Sequence, residues 1–428
     1  MLSSLSEILS AYKPFIDTLV SFFAATWWFW LFMVLYPLFK NLWLFWKQEL
    51  FRRSSRYTIL DIQIPREIMK DPKGMDQVLQ AMSNLGNRAG NFKEKYMDGE
   101  VPRPLTLEIT SFGGEVHLSI RFYNKLKPLI EAAIQAYYPD VELVEVDDHI
   151  NDLPVSYADM RAKGMEIFGT DMVLNKPGAY PTRTYQDFAS LAEASQYDPF
   201  ATFLEVLSKL KKEEFVGIQI NMIPSSWPKS SYKELEALKT PTKIKEKGVE
   251  VVVPKTARQL KVIEAVENNL SKTVFDSTIR FIYIAPKTIF YDSLARRGVL
   301  GAFNQYQATD LNSFRPNWPT MSLTSIWVKP YIFPALRAII RKQRLILYYR
   351  KREVPDENPI GRILSDHPFG FYKVASSQIN SEVLASIFHP PTNLVLTAPH
   401  IKRTPSRKVG PSAGLPIYGD EKEIERFK

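Results

Sequence analysis

Between Asp17 and Lys40 the chain runs for 22 residues, TLVSFFAATWWFWLFMVLYPLF, without a charge. At 1.5 Å per residue a helix of that length covers the roughly 30 Å hydrocarbon core of a bilayer. A cleaved secretory signal begins basic, has a shorter apolar core and ends in small residues at a cleavage site. Here Glu7 and Asp17 oppose Lys13, and the core is dense with aromatic rings. A core helix of a soluble domain would carry a polar stripe, and this segment has none. The sequence therefore implies a retained, single-pass transmembrane helix.

The flanks give its orientation. Lys40, Lys47, Arg52, Arg53 and Arg56 follow the apolar run with only Glu49 opposing them, so the positive-inside rule places the rest of the chain in the cytoplasm, at the cell membrane. Trp43 and Trp46, interleaved with Leu42, Leu44 and Phe45, read as an interfacial continuation of the helix with indoles at headgroup level. Trp27, Trp28, Trp30, Lys40, Trp43, Trp46, Arg52 and Arg53 are the residues expected to seat the anchor.

Of the 428 residues none is cysteine, which excludes disulfides, thiolate zinc sites, iron–sulfur clusters and cysteine nucleophiles. A net charge of +9 favours an anionic partner, either a lipid surface or nucleic acid.

Behind the anchor the expected fold class is α+β, with ferredoxin-like (split βαβ) domains. Residues 57–64 alternate as a strand, and Pro65 opens an amphipathic stretch through Leu85. Residues 105–112 and 116–122 are strands joined by Gly113-Gly114, a pair suited to a tight hairpin. A helix near 124–137 and a strand at 141–146 complete the order β-α-β-β-α-β. Further on, strands at 166–174, 215–223 and 276–285 alternate with helices at 199–211, 256–271 and 288–304, and the charged stretch 229–249 reads as an insertion. A strand near 321–329, a helix at 333–351 and a short helix at 381–388 follow. The implied division is 1–56 anchor and collar, 57–150 first domain, 151–310 second α/β domain, 311–397 C-terminal α/β region, and 398–428 an extended, basic, proline-rich tail.

Catalytic patterns are missing. There is no Gly-Lys dipeptide and hence no P-loop, no G-x-G-x-x-G and no H-E-x-x-H. Gly410-Pro-Ser412-Ala-Gly414 fits the nucleophile-elbow pattern, but Pro411, Pro416 and the lack of histidine after His400 remove its context. His117 reads as a structural strand histidine, and Asp147-Asp148-His149 as a solvated acidic loop rather than a cation site. The sequence thus implies no catalytic, cofactor or metal site. In 333–351 and just beyond, Leu336, Ile339, Ile340, Ile346 and Leu347 lie near one helical face while Arg337, Arg341, Arg344, Lys351 and Arg352 crowd the other sides, an arrangement suited either to phosphate or lipid contact or to a packed helix with a solvated basic face.

Residues 64–148, with IPREIMKDPKGMDQVLQAM, NFKEKYMDGEVPRPLTLEITSFGGEVHLSIRF and EAAIQAYYPDVELVEVDD, resemble a family of membrane-anchored proteins of unassigned function found mainly in small-genome candidate-phylum bacteria. YPTRTYQDF, DPFATFLEVLSKLKKEEFVGIQI, INSEVLASIFHPP and APHIKRTPSRKVGPSAGLPI continue the resemblance in the same order. In that family this region stands before, or is encoded beside, a coupling-type ATPase of type IV secretion and conjugation systems. The present sequence stops at Lys428, a dozen residues beyond the LPI segment, so the resemblance implies a non-enzymatic adaptor whose motor is a separate polypeptide. The implied partners are the lipid bilayer, that separate coupling-type ATPase, DNA in an alternative nucleic-acid-binding reading, and further copies in a homo-oligomer. Docking of the motor is expected at Glu382, Leu384 and Phe388 and along the tail with Lys402 and Arg403.

Overall fold

The computed structural model describes residues 2–64, 72–84, 86, 89–190, 198–246, 249–290, 295–327, 331–355, 358–367 and 369–391. Its first element is a 53-residue helix, α1 (Leu2–Ser54), about 80 Å long at the standard rise. Pro14 and Pro37 lie inside it. The Thr18 hydroxyl donates to the Pro14 carbonyl and the Ser21 hydroxyl to that of Asp17, local bonds well suited to apolar surroundings. The uncharged run is uncovered by the rest of the chain, and the helix is long and apolar enough to cross a membrane. The indole region reads correctly as its continuation: α1 runs on through Trp43 and Trp46 without a break.

In chain order the strands and helices that follow are β1 (Tyr57–Gln63), α2 (Lys73–Ser83), β2 (Leu105–Phe112), β3 (Glu115–Tyr123), α3 (Lys127–Tyr137) and β4 (Glu142–Glu145). Then come α4 (Tyr157–Ala162), β5 (Met165–Leu174), α5 (Tyr185–Ser190), α6 (Phe200–Ser208), β6 (Phe215–Ser225), α7 (Lys229–Lys239), the hairpin β7 (Thr242–Glu246) and β8 (Val249–Val253), and α8 (Ala257–Leu270). The chain continues through β9 (Val274–Pro286), α9 (Ala295–Phe303), β10 (Phe314–Pro316), α10 (Pro334–Lys351), α11 (Pro359–Ser365), β11 (Ser377–Asn380) and α12 (Ser381–Ile387).

Eight strands form one antiparallel path in the order β10-β5-β9-β6-β2-β3-β1-β4, and β11 adds to the end of β9. The order is symmetric about the β2–β6 pair. The first four strands are ordered 4-1-3-2, and β5, β6, β9 and β10, counted as a second set of four, repeat that order in mirror sequence. Each set has helices in both of its crossovers, α2 and α3 in the first, α5, α6 and α9 in the second. The segments expected as first and second domains therefore share one sheet, joined by an eight-residue register from Leu105↔Met222 to Phe112↔Phe215. The insertion is larger than its charged stretch: it comprises α7, the β7–β8 hairpin and α8, between the second and third strands of the repeated set.

Both faces of the sheet are covered. Leu60, Leu107, Ile120, Ile220 and Ile279 belong to the larger core, packed under α2, α3, α6, α9 and α12. On the opposite face α4 and α10 supply Tyr157, Met160, Leu345, Ile346 and Tyr349 over Phe215, Ile282 and Ile284. Gly217 is what lets α10 come this close, since a Cβ there would lie 2.1 Å from the Tyr349 hydroxyl.

The strand expected at 321–329 is absent over its described part, to Trp327. Residues 317–322 instead hold the outer edge of β5 through backbone and side chains together, the Ser322 N–H donating to the Gly169 carbonyl and the Asn317 N–H to that of Asp171. The Gly169 N–H donates to the Ser322 hydroxyl and the Asp171 N–H to that of Thr320. Pro316 and Pro319 interrupt the donors a strand would need, so β10 stops after three residues.

Candidate functional site

Chemistry-bearing residues gather in three places: the junction between anchor and sheet, the inner side of α10, and a polar row across the sheet. At the junction, α1 side chains become partly covered from Asn41 onward. A π-helical turn, Glu94–Asp98, packs on them, and the Trp43 indole donates to the Tyr96 carbonyl at 2.9 Å. Lys40 stands over the Tyr96 ring, and Lys47 over Trp43 and Trp46. Gly99, at φ +71°, approaches so closely that a Cβ would sit 2.5 Å from the Lys47 carbonyl oxygen. From the C-terminal side the Asn358 amide reaches the Asn41 carbonyl and Gln48 at 3.4 Å, and Arg103 lies over Phe51 and Tyr123. The anchor is thus clasped by the folded part. Of the anchor residues expected from sequence, Trp43, Lys40, Arg52 and Arg53 lie in or beside this clasp, with Arg52 and Arg53 pairing to Glu49. Trp27, Trp28 and Trp30 are exposed along the apolar run, Trp30 the least.

The basic helix is turned inside out relative to expectation. Arg337, Arg341 and Arg352 are fully buried, whereas Leu336, Ile339 and Leu347 face outward. The expected phosphate or lipid contact is therefore withdrawn from these three arginines. The cause is a supply of backbone acceptors under the helix. Arg337 donates to the Ser325 carbonyl, and Arg341 to those of Phe371, Trp318 and Met321. Burial, followed by the neighbouring Arg337 charge, pushes the Arg341 guanidinium down to about 10. Arg344 is half-buried, donating to the Leu364 carbonyl, and Lys351 alone of the set is exposed.

Directly opposed residues on antiparallel strands share a face. Asp61, Ser119, Glu108, Gln219, Arg280 and Asp171 accordingly stand in line across β1, β3, β2, β6, β9 and β5, all buried. Arg280 pairs with Asp171 at 2.7 Å, and the Gln219 amide donates to Glu108 at 2.8 Å. Arg352, in a left-handed conformation at the end of α10, closes the row. It bonds both Glu108 oxygens at 2.5 and 3.1 Å, and both Asp148 oxygens at 2.6 and 2.8 Å. Burial pushes the Asp148 carboxyl up, but the bonds and charge of Arg352 outweigh it and hold the group at about 2. Asp148 is therefore an ion-pair partner rather than part of a solvated loop. His149, shifted down by burial, lies 3.0 Å from the Tyr349 hydroxyl. His117 is partly buried beside Asp61, as a structural strand histidine should be. The network bolts α10 to the sheet through Arg352, while the Gln219 Oε1 and one Arg280 Nη remain buried without a hydrogen-bond partner.

Sequence reasoning missed this row, although a signal was present: TILDIQI, LTLEITSF, FVGIQINM, STIRFIYI and FGTDMVL each place a charged or amide side chain at the middle of an otherwise largely apolar strand.

The expected docking residues fall in the core. Glu382, Leu384 and Phe388 are buried. Glu382 accepts from Thr184 and pairs with Lys272, and Leu384 and Phe388 pack in the larger hydrophobic cluster. A helix buried on every side, Glu382 and Ser386 included, belongs to the core and is not a docking face. Lys402 and Arg403 lie outside the described residues. Among the described residues no cluster of three or more histidine and acidic side chains is placed to hold a metal ion. Set against models of known protein families and against curated proteins, the chain matches none.

Proposed function

We propose that the chain is a non-enzymatic, single-pass membrane adaptor of a type IV secretion or conjugation-like translocation system, presenting a coupling-type ATPase with a fixed platform at the cytoplasmic membrane face. The observation that carries this reading is the clasp. A tether that only confined a domain to the membrane would need a flexible linker, whereas here the apolar helix continues unbroken into a collar gripped from two sides and enters β1 two residues after it ends. Such a joint sets the height and orientation of the sheet above the bilayer. The basic flank of Lys40, Lys47, Arg52 and Arg53 supports the cytoplasmic orientation. The two mirrored 4-1-3-2 strand sets support a reading as two ferredoxin-like split βαβ units sharing one sheet.

Because residues 377–391 are built into the core, the docking surface for the ATPase in this reading is the tail beyond Pro391, with Lys402 and Arg403. Truncation after Pro391 is expected to leave the chain in the membrane fraction while removing co-purification of the coupling-type ATPase encoded beside it. Undiminished co-purification would return the docking surface to another part of the chain.

A further inference from the structure

No acidic residue occurs between Asp310 and Glu353, and this stretch carries much of the chain's exposed apolar surface outside α1. Trp318, Ile326, Trp327, Tyr331, Phe333 and Leu336 are all more than half exposed or at that mark, Trp327 at 83%. They form one surface because the buried arginines hold their backbone together. Arg337 grips Ser325, Arg341 grips Trp318, Met321 and Phe371, and the Thr324 hydroxyl donates to the Pro334 carbonyl. Arg344 extends the surface to Leu364, so that Ile363 and Leu364 of α11, both exposed, continue it. Contiguous exposed apolar surface of this kind marks an interaction site.

Its position names the occupant. Asn358, which caps α11, reaches the carbonyl of Asn41, two residues beyond the end of the uncharged run and so about 3 Å along the helix axis from it. The segment that clasps α1 through Tyr96 also exposes apolar side chains, Phe92 and Met97. Both clasping segments therefore present apolar groups at the base of the anchor, where a transmembrane α1 puts the headgroup region. Trp and Tyr suit that depth because each joins an apolar ring to a polar edge.

We propose that this surface seats in the bilayer interface, making a second, monotopic contact beside the transmembrane helix, with Trp318, Trp327, Phe333 and Ile363 at the acyl boundary. The contact rests on the reading of α1 as a membrane helix and is independent of any ATPase. It gives the buried arginines a purpose: they satisfy the carbonyls of an apolar loop from inside, so that the loop meets lipid with side chains rather than with unpaired backbone.

The cysteine-free chain is a ready background for a test. Single cysteines at Trp327→Cys, Phe333→Cys and Ile363→Cys, with Tyr232→Cys and Val155→Cys as exposed controls and Leu31→Cys as a marker of the apolar run, are labelled with an environment-sensitive fluorophore. The full-length chain is placed in phosphatidylcholine and phosphatidylglycerol vesicles containing nitroxide lipids. Blue-shifted emission and several-fold stronger lipid quenching at 327, 333 and 363 than at 232 and 155 are expected. Quenching at 31 with control-like behaviour at the three sites would overturn the contact while leaving the anchor standing. A blue shift without lipid quenching would overturn it in favour of a protein cover, such as a second copy. Absence of quenching at 31 would overturn both readings together.

Discussion

Replacing Arg352 by leucine is expected to lower the stability of the detergent-solubilised chain by about 3–5 kcal/mol, because it leaves the buried Glu108 and the half-buried Asp148 without their cation. The comparison with Arg352→Gly separates two contributions. Arg352 has φ +54°, the left-handed region in which a side chain is strained and glycine is not. The glycine variant should therefore lose the ion pairs but recover about 1 kcal/mol relative to leucine. Adding Glu108→Gln to Arg352→Leu should restore part of the loss by removing the orphaned charge. The pH response follows from the same pairs. With the Asp148 carboxyl held at about 2, below its unfolded value near 3.9, its contribution is complete above that unfolded value and is lost as the pH falls toward 2. Urea denaturation curves of the variants read all of this, and an Arg352→Leu midpoint equal to that of the parent chain would mean that the network is dispensable.

Truncation after Ser377 is expected to abolish the folded state, whereas truncation after Pro391 leaves it intact. The earlier cut removes Ile379, Val383, Leu384, Ile387 and Phe388, each buried. At about 1.5–3 kcal/mol for each apolar side chain, the lost burial is on the order of 10 kcal/mol, comparable to the whole net stability of a typical domain at about 5–15 kcal/mol. Buried hydrogen bonds are lost as well. Tyr306 loses the Ser386 carbonyl, Asn269 loses Asn380, and Asp198 loses His389. Trypsin resistance and size-exclusion profiles in detergent distinguish the two truncations, and a protease-resistant chain ending at Ser377 would show that β11 and α12 are accessory.

How much of this was legible follows from what each residue pattern reports. The uncharged run and the alternating strands were readable because apolar periodicity depends on a solvent boundary that the sequence carries along its whole length. The strand bounds at 105–112 and 215–223 lie within two residues of β2 and β6. What pairs with what was not readable: nothing local in LTLEITSF says that its outer neighbour is FVGIQINM, more than a hundred residues away. Arg337 and Arg341 misled because an amphipathic helix was assumed to bury its aliphatic side. The structure buries the arginines against carbonyls contributed by residues 318–325 and 371, partners invisible in a helical wheel. SEVLASIF was not readable as core, because Glu382 and Ser386 stand four residues apart as on a solvated helix face, whereas the structure buries them against Thr184, Lys272 and the Tyr185 N–H.

Alkaline carbonate extraction of membranes containing the full-length chain tests the central claim most directly, since carbonate strips peripheral proteins but leaves a spanning helix in the bilayer. The chain is expected to stay in the pellet after carbonate and after high salt and to be released only by detergent. Recovery of the chain in the carbonate supernatant would contradict that claim.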